Sequence, residues 1–115
     1  MASHSPSTAP RHSLVLVTTD SEAAAQTLAH TLVEQHLAAC VNLLPVQSIY
    51  RWQGQIEQAT EWQLLIKTDW TCLDALQAVI HQHHSYEVPE IIALPIEAGS
   101  GPYLAWISQE TAQAR

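Results

Sequence analysis

At 115 residues and 12.7 kDa the chain has room for one domain with one modest core, which excludes a two-domain enzyme. Eleven acids against four bases leave a formal charge of −7, which excludes a protein that tracks nucleic-acid phosphates and suits cationic ligands. Hydrophobic residues make up 47% and charged residues 13%, against about 25% charged in an ordinary soluble domain, so a lone subunit lacks charged surface and assembly is expected.

Residues 1–12, with Ser, Pro and His but no periodicity, read as a disordered leader, and residues 13–115 as a single folded domain. Neither a signal peptide nor an apolar run of about 18 residues is present, so no membrane association and a cytoplasmic setting are expected. Ser13 to Thr19, with Leu14, Val15, Leu16 and Val17 unbroken, predicts a strand buried on both faces. Asp20 or Ser21 then caps a helix whose Ala25, Leu28, Ala29, Leu32, Val33 and His36 share one stripe. Ala39 to Trp52 predicts a second strand, with a bulge or bend at Pro45 because proline lacks the ladder donor. A turn at Gln53 and Gly54 leads into a third strand, Ile56 to Thr68.

Each arm of this hairpin is about a dozen residues, or roughly 40 Å at about 3.3 Å per residue. A compact domain of this size is only about 35 Å across, so the hairpin must bend or protrude. Carrying Tyr50, Trp52 and Trp62 with little charge, it calls for cover by another subunit. Thr71 with Asp74 forms a weak capping box for a second helix that buries Leu73, Leu76, Val79 and Ile80 and ends near His84. Pro89 opens a short strand, Glu90 to Ile96, and Gly99, Gly101 and Pro102 turn into a short C-terminal helix with Tyr103, Leu104, Trp106 and Ile107. The order βαββαβ predicts an α+β, ferredoxin-like sandwich with both main helices on one face of a four-stranded antiparallel sheet. The other face is left bare for subunits to meet.

Three glycines cannot build a Gly-rich phosphate cradle, and Cys40 and Cys72, set in apolar segments without C-x-x-C spacing, read as buried thiols. No nucleophile with its base and no paired acids appear at a recognised spacing, so the chain reads as non-catalytic, without an organic cofactor. The densest polar cluster is His81, His83, His84, Tyr86, Glu87 and Glu90. Imidazoles beside carboxylates suit Cu²⁺, Zn²⁺ or Ni²⁺, while histidines at a helix C-terminus also gain from its dipole without binding anything. On a continuous helix His83 and His84 point about 100° apart and share an ion only if the helix breaks between them. His4, His12, His30 and His36 show no pairing. Lys67, the sole lysine, pairs with a carboxylate such as Glu61 or Glu90, or contacts an anionic ligand. The tryptophans read as packing and interface anchors or as ligand-stacking rings.

The runs Leu37-Ala38-Ala39-Cys40-Val41-Asn42, Ser48-Ile49-Tyr50-Arg51-Trp52-Gln53-Gly54, Glu61-Trp62-Gln63-Leu64-Leu65-Ile66-Lys67-Thr68, His84-Ser85-Tyr86-Glu87-Val88-Pro89-Glu90-Ile91 and Tyr103-Leu104-Ala105-Trp106 follow one another in order. Over residues 14–108 the chain thereby resembles the CutA divalent-cation tolerance proteins. The resemblance implies a cytoplasmic homotrimer of ferredoxin-like subunits, similar in architecture to the PII signalling proteins, that responds to copper and other divalent ions. It makes His83 and His84 the leading metal ligands, with Glu87 and Glu90 as oxygen donors. The family's cysteine ligand falls at about Val17, which cannot bind a metal, so Cu²⁺ or Zn²⁺ is implied rather than Cu⁺. Ser85 stands where the family usually has proline. The PII likeness implies an alternative, a sensor or scaffold binding a small molecule or partner in clefts between subunits through Tyr50, Trp52, Lys67, Tyr86 and Trp106.

Overall fold

In the computed structural model, which describes residues 11–114, strand β1 (His12–Thr19) is followed by helix α1 (Glu22–Glu34), and then β2 (Cys40–Trp52) and β3 (Gln55–Asp69) form the hairpin. A single 3₁₀ turn, Trp70–Cys72, leads into α2 (Leu73–His83), β4 (Ile92–Pro95) and α3 (Gly101–Glu110). β1 opens at His12, one residue before the expected Ser13, and Arg11 already holds Asp69; residues 1–10 of the expected leader lie outside the described residues. No helix among the described residues is long and apolar enough to cross a membrane.

The sheet runs β2-β3-β1-β4 with every pair antiparallel, the ferredoxin-like order. Alternation along the strands sends Val15 and Val17 of β1 and Leu64 and Ile66 of β3 to one face, where they meet Leu28 and Leu32 of α1 and Leu76 and Ile80 of α2 in a continuous core. Ser21 caps α1 by accepting from the Ala24 N–H at 3.1 Å, leaving Asp20 outside the cap. The expected stripe of α1 is buried at Ala25, Leu28, Ala29 and Leu32, but Val33 is exposed and His36 lies past the helix end with φ +60°.

Two expectations fail locally. Thr71 does not cap α2: Asp69 Oδ1 accepts from both the Thr71 N–H at 2.9 Å and its hydroxyl at 2.7 Å, so a buried aspartate caps the 3₁₀ turn, and α2 continues from that turn at Cys72 without a side-chain cap of its own. Nor does Pro45 cause a bulge, for the register runs unbroken from Cys40 opposite Lys67 to Trp52 opposite Gln55, with Pro45 facing Trp62. The hairpin closes on two residues of positive φ, Gln53 and Gly54, which makes Trp52 and Gln55 a hydrogen-bonded pair and puts Pro45 at every other, non-bonded position. Its missing N–H falls on the outer side of an edge strand, where no donor is required.

The hairpin protrudes. The molecule measures 51 × 29 × 22 Å with a radius of gyration of 15.5 Å, above the roughly 13 Å of a compact chain of this length. The sheet's other face carries the cross-strand rows Ile92–Leu16–Leu65 and Leu94–Leu14–Lys67, with Ile92 and Leu94 exposed.

Candidate functional site

Helix α2 ends at His83, and His84 leaves it in an extended conformation, φ −96° and ψ 139°, so the helix does break between the two histidines. The break does not bring them onto one ion. His83 stays exposed on α2, its Nδ1 donating to the Val79 carbonyl at 2.9 Å. His84 turns inward: its Nε2–H donates to the Thr18 carbonyl at 2.5 Å, while its Nδ1 accepts the Tyr86 N–H at 3.0 Å. With a backbone N–H on one nitrogen and a carbonyl on the other, the ring is the neutral tautomer with both nitrogens engaged, and it offers no lone pair to a metal. Among the described residues no three His, Cys, Asp or Glu side chains gather as a metal-holding group. The expected set His83, His84, Glu87 and Glu90 is therefore not a closed chelating site within one subunit.

What His84 does is fix the following loop across the end of β1 and the middle of β3. Its ring packs at 4.7 Å from that of Tyr86. Tyr86 donates its phenol to Glu61 Oε2 at 2.6 Å, and Glu61, in β3, is only 7% exposed. Burial, then the hydrogen bond to Glu61 and that carboxylate's charge, push the Tyr86 phenol well above its ordinary pKa. Gln63, two residues along β3, donates to the Val17 carbonyl at 2.9 Å and reaches Glu90 Oε2 at 3.5 Å. Ser85, where a rigid proline was the family expectation, donates instead to Asp20 Oδ2 at 3.3 Å and ties the loop to the start of α1.

Between this loop and the hairpin lies a groove of about 680 Å³. Its aromatic lining is Tyr50, Trp52 and Tyr86, and its charged lining is Glu61, Glu87 and Glu90, with no lysine or arginine. Five of the nine residues proposed from sequence thus meet here: Tyr50, Trp52, Tyr86, Glu87 and Glu90. Sequence reading assigned Glu61 only as a partner for Lys67 and missed Thr18 and Ser48; the one available signal was that Glu61 and Lys67 share a strand parity.

Lys67 and Trp106 do not belong to the groove. Lys67 lies six residues beyond Glu61 on β3, about 20 Å away at about 3.3 Å per residue, which rules out the expected ion pair with Glu61. It donates instead to Asn42 Oδ1 and approaches Cys40 Sγ at 4.0 Å. Cys40 is accordingly not a core thiol but a half-buried one on the bare face, whereas Cys72 is buried as expected, and both are free. Burial, with the charge and hydrogen bonding of Cys40 behind it, raises the Tyr103 pKa. Trp106 stacks beside Tyr103 on α3, ring centroids 5.4 Å apart. Two histidines that sequence left without a role fasten that helix: His12 Nε2 meets Ser108 Oγ at 2.8 Å and His36 Nδ1 the Glu110 carbonyl at 2.9 Å.

Residues 13–110 match the family model of the CutA1 divalent ion tolerance protein. The chain belongs to the CutA1 family. Among CutA1 relatives it is 46% identical over 99 residues to the divalent-cation tolerance protein CutA of Thermus thermophilus, covering 85% of this chain and 96% of that protein. It is 46% identical over 100 residues to mouse protein CutA, covering 86% of this chain but 56% of the mouse protein, so the chain spans about half the length of that relative. The Thermus thermophilus structure superposes with a TM-score of 0.85 at 46% identity over 87% of this chain and 98% of that one. CutA1 from a psychrotrophic Shewanella gives 0.86 at 41% identity over 89% and 96%. The α+β sandwich with its long hairpin is thus the CutA1 fold.

Proposed function

We propose that the chain is a non-catalytic homotrimer acting in divalent-cation tolerance, and that it holds ions such as Cu²⁺ weakly through the carboxylates of the groove. The observation that carries this reading is the groove's charge: Glu61, Glu87 and Glu90 line it without a basic side chain. Such a cleft raises the local cation concentration without the four fixed donors of a structural metal site. The engaged His84 removes a nitrogen donor and favours loose binding, with the exposed His83 able to add one donor from outside. Assembly is supported by the apolar rows of the bare face and by a hairpin with Ile49 and Ile56 each 70% exposed. The names of CutA relatives give different compartments, periplasmic for the Archaeoglobus fulgidus protein and chloroplastic for the Arabidopsis thaliana one; for this chain we propose the cytoplasm.

Calorimetric titration with Cu²⁺ and Zn²⁺, comparing the native chain with the double variant Glu87→Gln, Glu90→Gln, tests the metal reading. Weak binding that drops several-fold in the variant supports it, and binding unchanged by the variant overturns it. The PII-like alternative, a small molecule or partner bound in clefts between subunits, is favoured by the meeting of Tyr50, Trp52 and Tyr86 on one groove and draws no support from Lys67 or Trp106, which lie outside it.

A further inference from the structure

The groove has more lining than a metal ion uses. To be held tightly, a strongly hydrated divalent ion needs converging oxygen or nitrogen donors, which do not gather among the described residues, so the groove binds such ions only loosely. The volume of about 680 Å³ instead falls in the usual range of about 300–1,000 Å³ for small-molecule sites. Its walls pair three carboxylates with three aromatic side chains, and within one subunit Trp52 and Tyr50 are each 44% exposed. An alkylammonium group, less strongly hydrated than a divalent metal ion, is attracted both by the carboxylates and by the ring faces, most of all by tryptophan. Glu61 is buried and taken by Tyr86, which leaves the groove two further carboxylates, Glu87 and Glu90, three residues apart on the loop after α2. That distribution matches a linear ligand with ammonium groups at separated positions.

We infer that this groove binds a small organic polycation, a linear polyamine by chemical class, with Glu87 and Glu90 holding its ammonium groups and Trp52 and Tyr50 covering the methylene stem. The inference rests on the acidic groove as the functional site and adds a second class of cation to it.

The test is calorimetry of the full chain with spermidine, alone and against an equal concentration of Mg²⁺, in the native protein, the Glu87→Gln, Glu90→Gln variant and Trp52→Leu. The expected result is saturable binding that survives Mg²⁺, falls at least tenfold in the double variant and about fivefold in Trp52→Leu. Absence of saturable binding, loss of binding in equal Mg²⁺, or an unchanged affinity in Trp52→Leu overturns the inference. Cu²⁺ titration of Trp52→Leu separates this from the metal reading: Cu²⁺ binding that persists while spermidine binding fails leaves that reading standing. Shielding of Trp52 from quenching by neutral acrylamide in the free protein, read as the difference from Trp52→Leu, means that a neighbouring copy fills the groove and also overturns the inference.

Discussion

The phenol of Tyr86 donates to Glu61 Oε2 at 2.6 Å and so joins the loop after α2 to the middle of β3, two segments 25 residues apart in the chain. Glu61 is almost completely buried, and a buried carboxylate needs its donors. Tyr86→Phe keeps the ring against His84 but withdraws the hydroxyl, at a cost of about 1–3 kcal/mol. Urea denaturation is expected to show that loss, and the double variant Tyr86→Phe, Glu61→Met, with both polar partners removed, is expected to recover part of it. A Tyr86→Phe protein as stable as the native one would mean that Glu61 is satisfied without the phenol.

The same contact sets an alkaline limit. A phenol whose folded pKa lies above its unfolded value of about 10 contributes stability that is fully present below pH 10 and is lost as pH rises beyond it. Ultraviolet titration of tyrosinate is expected to show a late component that disappears in Tyr86→Phe. Stability of the native chain is expected to fall above pH 10 more steeply than that of the variant; equal slopes would remove Tyr86 as the cause.

Much of the fold was legible because its signals are local. Val15 and Val17 against Leu64 and Ile66, and the i, i+3, i+4 stripe of Leu28 and Leu32, state which faces are buried. Pro45 misled because proline's effect depends on which side of an edge strand its nitrogen faces, which only the two-residue turn at Gln53 and Gly54 determines. Thr71 misled because the competing cap, Asp69, sits in what reads as the end of a strand. The groove was legible in part. Tyr86, Glu87 and Glu90 are near neighbours in sequence, but Glu61 and Thr18 join them only through the β2-β3-β1 order and the inward turn of His84. Lys67 was misplaced for a simple reason: equal strand parity gives the same face, not proximity.

Asp69 and Arg11 should respond unequally to mutation. The Arg11 Nε reaches Asp69 Oδ2 at 2.6 Å, but the arginine is 58% exposed while the aspartate is fully buried and also holds Thr71. Arg11→Ala removes one solvent-screened partner and is expected to cost about 0–1 kcal/mol. Asp69→Ala removes the cap before α2 together with the ion pair, and at least about 2 kcal/mol is expected to be lost. Thermal or urea unfolding of the two single variants checks the order, and an Arg11→Ala loss equal to that of Asp69→Ala would show that the pair, not the cap, is what Asp69 contributes.

Ile92 distinguishes a subunit that stands alone from one that is covered. It is 48% exposed at the end of the row Ile92–Leu16–Leu65 on the bare face, so within one subunit a polar side chain there displaces little packing. If the bare faces meet in a trimer, Ile92→Glu places like charges and unpaired carboxylates in an apolar interface, a change that costs several-fold to many-fold in association. Sedimentation velocity is expected to give a trimer for the native chain and dissociation on dilution for Ile92→Glu. The variant's thermal stability should fall with it and become concentration-dependent, because binding between subunits adds to folding stability by mass action. A native chain that sediments as a monomer would refute the trimer, and an Ile92→Glu chain that remains trimeric and equally stable would move the interface away from this face and leave the protruding hairpin as its remaining site.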